Sequence, residues 1–232
     1  MRVAQVLTQG RKRRSINWSQ SKLIFDGNSL FASHPTTASQ RVPQRVLAAA
    51  PVNGAAAFAM LAIGGQTTQQ MIDSAADVDA AIDPTKLNIL LAWEGTNGMI
   101  DGAELQAQRM KAYLAARKAA AVAKGAEMLM IVAGTIPRHE VTSISIAERN
   151  DRMVAYNKIL AANWRTWGCS AYVDTRPPGG PFDLPDWSTA SFTRAETLPM
   201  WSPDDAAGTY THLSVLGALY IQALFSAALR RL

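Results

Sequence analysis

Five short apolar runs alternate with longer segments of helical spacing along most of this chain. The runs are 22–27 (KLIFDG), 56–62 (AAFAMLA), 87–93 (LNILLAW), 127–134 (EMLMIVAG) and 170–174 (SAYVD); the helical segments are 38–50, 67–82, 101–124, 146–167 and 214–230. Runs that are apolar almost throughout, rather than at every second residue, suit strands buried on both faces, and strands joined through helices run parallel. In 101–124, Ala, Leu and Met recur at three and four residues while Arg109, Lys111, Arg117, Lys118 and Lys124 fill the remainder, the pattern of a helix lying on a core. The alternation predicts a three-layer α/β/α sandwich with a central, mostly parallel, five-stranded sheet. With 232 residues, 48% of them hydrophobic and 18% charged, the chain has material for one such domain, expected over 22–232.

The net charge of +5 invites a polyanion as partner until the charges are located. Residues 1–25 hold Arg2, Arg11, Lys12, Arg13, Arg14 and Lys22 and no acid, which leaves −1 for all the rest. A nucleic-acid groove needs its cations on the folded surface, so nucleic acid is not the expected partner, and residues 1–21 read as a flexible basic arm. No continuous apolar stretch follows those charges, so no signal peptide is read and a cytoplasmic or phage-associated location is expected. The uncharged stretch 46–72 is long enough to raise a membrane span, but Pro51, Asn53, Gly54, Gly64 and Gly65 break it, and no membrane partner is expected. Cys169 is the one cysteine, and neither cysteine clusters nor His pairs offer a zinc site, so neither a disulfide nor a metal or other cofactor is expected.

Doubly wound sheets bind ligands at the carboxyl ends of their strands. The first strand delivers Gly27, Asn28 and Ser29 there; the second Ile63, Gly64, Gly65, Gln66 and Thr67; the third Glu94, Gly95, Thr96, Asn97 and Gly98. Just ahead of the last helix stand Thr211, His212 and Leu213. Alone, Ser29 and Asn97 are turn residues and His212 a helix-start residue. Together they supply a hydroxyl nucleophile, an exposed backbone amide at Gly65 (or Gly64), a side-chain amide and an imidazole, the parts of an acyl-transfer site. The irregular segment 175–212, rich in Pro, Gly, Asp and Trp, runs directly into His212.

This ordered set resembles the SGNH (GDSL-type) esterases over about 22–229. The first block, Gly-Asp-Ser-Leu in that family, is similar to Gly27, Asn28, Ser29, Leu30; the second to Gly65 with Thr67 and Thr68; the third, Gly-x-Asn-Asp, to Gly95, Thr96, Asn97, Gly98; the last, Asp-x-x-His, to Thr209 and His212. The run IVAGTIPR and a helix carrying Tyr156 and Asn157 agree in order as well. The resemblance implies a flavodoxin-like domain, Ser29 as nucleophile, His212 as base, and an oxyanion hole from Ser29, Gly65 and Asn97, acting on a short acyl ester, acetyl first, of a carbohydrate or small alcohol. Asn28, Gly98 and Thr209 each stand where the family has aspartate. Loss of the third touches the base, whose tautomer an acid normally fixes. Asp205 is the expected replacement, with Asp204 beside it and Asp174 as the other choice. The missing acid also suits a fold that has lost catalysis and serves as a binding or structural module, for example in a phage assembly. His34 and His139 are expected on loops, His34 with a place in the substrate pocket. Trp187, Trp201 and Phe192 either wall that pocket or pin the loop to the body.

Overall fold

The structure is a computed structural model describing residues 7–8, 15–139, 143–184, 187–202 and 209–232. Its strands are β1 (Leu7–Thr8), β2 (Ser21–Gly27), β3 (Ala57–Met60), β4 (Leu87–Trp93), β5 (Met128–Ala133) and β6 (Ala171–Val173). The helices are α1 (Ser29–Ala32), α2 (Val42–Ala48), α3 (Thr68–Asp73), α4 (Ala75–Ala81), α5 (Ala103–Ala123), α6 (Ile146–Asn163) and α7 (Val215–Leu229). Spatial strand order is β1-β6-β5-β4-β2-β3, parallel from β6 to β3.

The five expected strands form the parallel part, each within two residues of its expected ends. β1 is an addition: it pairs antiparallel with Ala171 and Tyr172, at the edge beside β6. It falls within 1–21, and two further residues of that segment, Ile16 and Trp18, pack against the core. The basic run 11–14 lies outside the described residues.

Alternation along the strands splits the interior in two. Leu23, Phe25, Ile89, Leu91, Ile131 and Ala133 face a layer built from α1, α2 and α7. Ile24, Leu90, Ala92, Met130 and Val132 face α3, α4, α5 and α6. Both faces are covered, which is why the strands read as continuous apolar runs. The chain leaves β2 toward the first layer and leaves β4, its neighbour, toward the second, and this divergence opens the crevice in which such sheets hold ligands.

Three helical segments are shorter than their spacing suggests: 146–167 ends at Asn163, and the other two are cut for local reasons. The segment 67–82 breaks at Ser74, whose hydroxyl donates to the Gln70 carbonyl (2.9 Å) and accepts from Gln66 Nε2 (3.1 Å), diverting the helical ladder. In 38–50 the regular helix starts only at Val42, because Pro43 fits the first turn and no later one. The stretch 46–72 is divided among α2, β3 and α3, and among the described residues no helix is long and apolar enough to cross a membrane.

Candidate active site

Ser29 owes its position to how tightly β2 and β4 meet. Gly27 has φ +155, and a Cβ there would lie 2.2 Å from the Trp93 carbonyl oxygen, so only glycine ends β2 in this way. Asn28 then caps α1, its Oδ1 accepting from the Leu30 amide at 2.9 Å, and Ser29 takes the first helical position at 8% exposure. Its Oγ lies 3.1 Å from His212 Nε2, although 183 residues separate the two.

His212 is held from both sides by its own backbone. Tyr210 forms a bridge with His139, Leu213 one with Trp201, and the His212 carbonyl accepts from the Ser202 amide at 2.8 Å. Ser214 caps α7 directly afterwards, accepting from the Gly217 amide at 3.1 Å. The ring of His34 lies flat on that of His212, with centroids 3.7 Å apart and planes inclined by 11°.

Asn97 joins two of the predicted stations. Its Nδ2 donates to the Gln66 carbonyl at 2.8 Å, fastening the loop after β4 to the loop that carries Gly65. Arg138 donates to its Oδ1, which fixes the amide orientation and leaves the second N–H of Nδ2 for another acceptor. Gly65 is exposed with φ +77, on the rim of a cavity of about 210 Å³ lined by Ile63, Gly64, Gln66, Gln70 and Ser74. Gly64 is exposed as well, with Ser33 Oγ 3.9 Å from an added Cβ.

Glu94 binds this arrangement together, and its role is not visible in the sequence. The side chain is fully buried; one carboxylate oxygen accepts from Asn28 Nδ2 and the other from the Asn97 amide at 3.0 Å. A single acid thus links the Ser29 turn to the Asn97 loop, in a chain with no carboxylate at 28 or 98. Burial raises its pKa to about 7, against the opposing pull of bonds from Gly95, Asn97 and Asn28 and the charge of Arg138. Behind it, Tyr156 donates to the Glu94 carbonyl at 2.9 Å, and its ring would lie 2.4 Å from a Cβ at Gly95. Asn157 clamps the loop after β5 by accepting from the Thr135 amide (2.7 Å) and donating to its carbonyl (2.8 Å). At Gly98, Gln106 occupies the space a longer side chain would need, 2.5 Å from an added Cβ.

The remaining expectations divide. Asp204 and Asp205 lie outside the described residues. Asp174 caps a turn, Oδ1 accepting from the Arg176 amide at 3.0 Å, and lines a separate cavity of about 330 Å³ with Lys158, Tyr172, Arg176 and Asp183. Trp187 and Trp201 are only 3% and 4% exposed. They pack with Phe192 at ring distances of 4.8 and 5.4 Å, and Phe192 stacks on Tyr210 at 5.7 Å. Both indoles are thus buried in an aromatic cluster within the long loop, with Phe182 also packed on Trp201 at 5.4 Å. His139, beside the same cluster, is buried, with its Nε2 3.4 Å from Thr189 Oγ1. The sequence assigned no role to Glu94 or Arg138, and each carried one signal: Glu94 as a carboxylate closing an apolar strand, Arg138 as the last residue of the run IVAGTIPR.

No family model matches the sequence, and no curated relative does. The likeness lies in three-dimensional shape. A member of the lipolytic G-D-S-L family from Veillonella parvula superposes with a TM-score of 0.60 at 15% identity, covering 91% of this chain and 100% of the other. An extracellular lipase from Streptomyces rimosus gives 0.55 at 12%, covering 90% and 99%. A catalytic mutant of an acetylxylan esterase from Geobacillus stearothermophilus gives 0.55 at 14%, covering 89% and 93%. The fold is therefore that of the SGNH, or GDSL-type, hydrolases.

Proposed function

We propose that this protein is a serine esterase that removes a short acyl group, acetyl first, from a carbohydrate or small alcohol. The observation that carries the reading is the approach of Ser29 Oγ to His212 Nε2, 3.1 Å, at the crevice between β2 and β4. His212 takes the hydroxyl proton as Oγ attacks the ester carbonyl, and the amides of Ser29 and Gly65 with Asn97 Nδ2 receive the oxyanion. Collapse expels the alcohol, which leaves with the proton from His212, and the acyl group stays on Ser29. Water then attacks the acyl-enzyme with His212 again as base, releasing the acid. The acetylxylan esterase among the similar structures supports trying acetylated sugars first. Turnover of p-nitrophenyl acetate tests the reading: Ser29→Ala is expected to lower kcat by about 10³-fold or more. Full activity in that variant overturns it.

A further inference from the structure

A histidine that serves as base must keep Nε2 on the nucleophile through a cycle in which its ring gains and loses a charge. The bond to Ser29 Oγ fixes one ring atom, and the plane of a half-buried ring depends on its other neighbours as well, because rotation about Cβ–Cγ is a broad torsion. We infer that His34 is a positioning residue for His212: its ring, stacked on the base, holds the imidazole in the plane that serves Ser29. The role rests on the esterase reading above.

Three observations converge on it. The stack is face to face, 3.7 Å between centroids with planes 11° apart, so it resists ring rotation through the ring face and not through the edge that carries Nδ1 and Nε2. His34 follows Ser29 by five residues at the end of the same helical turn, where the Ser33 amide donates to the Ser29 carbonyl at 3.1 Å. Beyond it, Pro35 is buried, and Arg41 donates from Nε to the Pro35 carbonyl and from Nη2 to the Thr36 carbonyl, each at 3.1 Å. The segment that carries the nucleophile therefore also carries the surface against which the base rests, and the two are registered with each other. This makes His34 a contact of the base, a different role from the substrate-pocket place expected for it.

Steady-state kinetics on p-nitrophenyl acetate test the role. His34→Ala is expected to lower kcat by about 10- to 100-fold, the cost of misplacing a catalytic group, with KM nearly unchanged. His34→Phe, which keeps a flat neutral ring, is expected to restore most of the rate. His34→Leu, which fills the space without a flat face, is not, and this pair carries the comparison should the alanine variant lose its cooperative melt. In a His212→Ala background, removing His34 is expected to cost nothing further, because it acts through the missing ring. An unchanged kcat in His34→Ala, a rise in KM alone, equal rates for the Phe and Leu variants, or a further loss in the double variant each overturns the positioning role. Turnover that survives Ser29→Ala overturns the esterase reading, and the role with it; turnover that needs Ser29 and ignores His34 overturns the role alone.

Discussion

Glu94 is the residue that ties the Ser29 turn to the Asn97 loop. Its two oxygens accept from Asn28 and Asn97, so a neutral amide in its place must point Nε2 at one donor or the other and lose a bond. Glu94→Gln is expected to lower kcat on the order of 10-fold by loosening this geometry. It is also expected to change how stability depends on pH. Because the pKa rises from 4.5 to about 7 on folding, the folded chain holds a proton that the unfolded chain releases between those values. The contribution of Glu94 is therefore fully present below about pH 4.5 and falls as pH rises toward 7. Asp26, raised from 3.8 to about 6 by burial, acts with the same sign in its own window. Urea midpoints at pH 5 and pH 8 check this: Glu94→Gln should show a smaller fall than wild type, and an equal fall would contradict the assignment. Sequence showed the acid at a strand end but not what it does, since its partners sit 66 residues before it and three after.

Among the elements, β2 and β4 decide where the site can form. Gly27 lets them close at their carboxyl ends, and the Trp93 oxygen would lie 2.2 Å from any Cβ added there. Gly27→Ala is therefore expected to destabilise the fold by about 1–3 kcal/mol through backbone strain, and to lower activity further by displacing Ser29. The urea midpoint measures the first effect, and a wild-type midpoint would show that the two strands can separate freely. These strands were legible in the sequence, β4 to the residue, because burial on both faces makes an apolar run unmistakable. The break between α3 and α4 was not, because helical spacing continues across Ser74 and only the hydrogen bonds of its side chain interrupt it. Two-residue β1 offered no periodicity to read. The clustering of Trp187, Phe192 and Trp201 within the long loop depends on contacts between residues whose order follows no period.

At the scale of the molecule, the order of the stations along the chain did what no single motif could. Ser29, Gly65, Asn97 and His212 come from separate turns, and each alone reads as a turn or cap; a doubly wound topology brings strand ends to one edge, which makes their order informative. The same topology places Arg138 and His34 there, but it does not reveal which residues will touch, so the contacts of Arg138 with Asn97 and of His34 with His212 were not legible in the sequence. The central claim is that Ser29 is a nucleophile activated by His212. Reaction of the native protein with a fluorophosphonate, followed by peptide mapping, tests it most directly. One phosphonylated residue is predicted, Ser29, labelled in the native protein and not after denaturation. A native protein that takes up no label, or takes it up at another serine while Ser29 stays unmodified, would contradict the account.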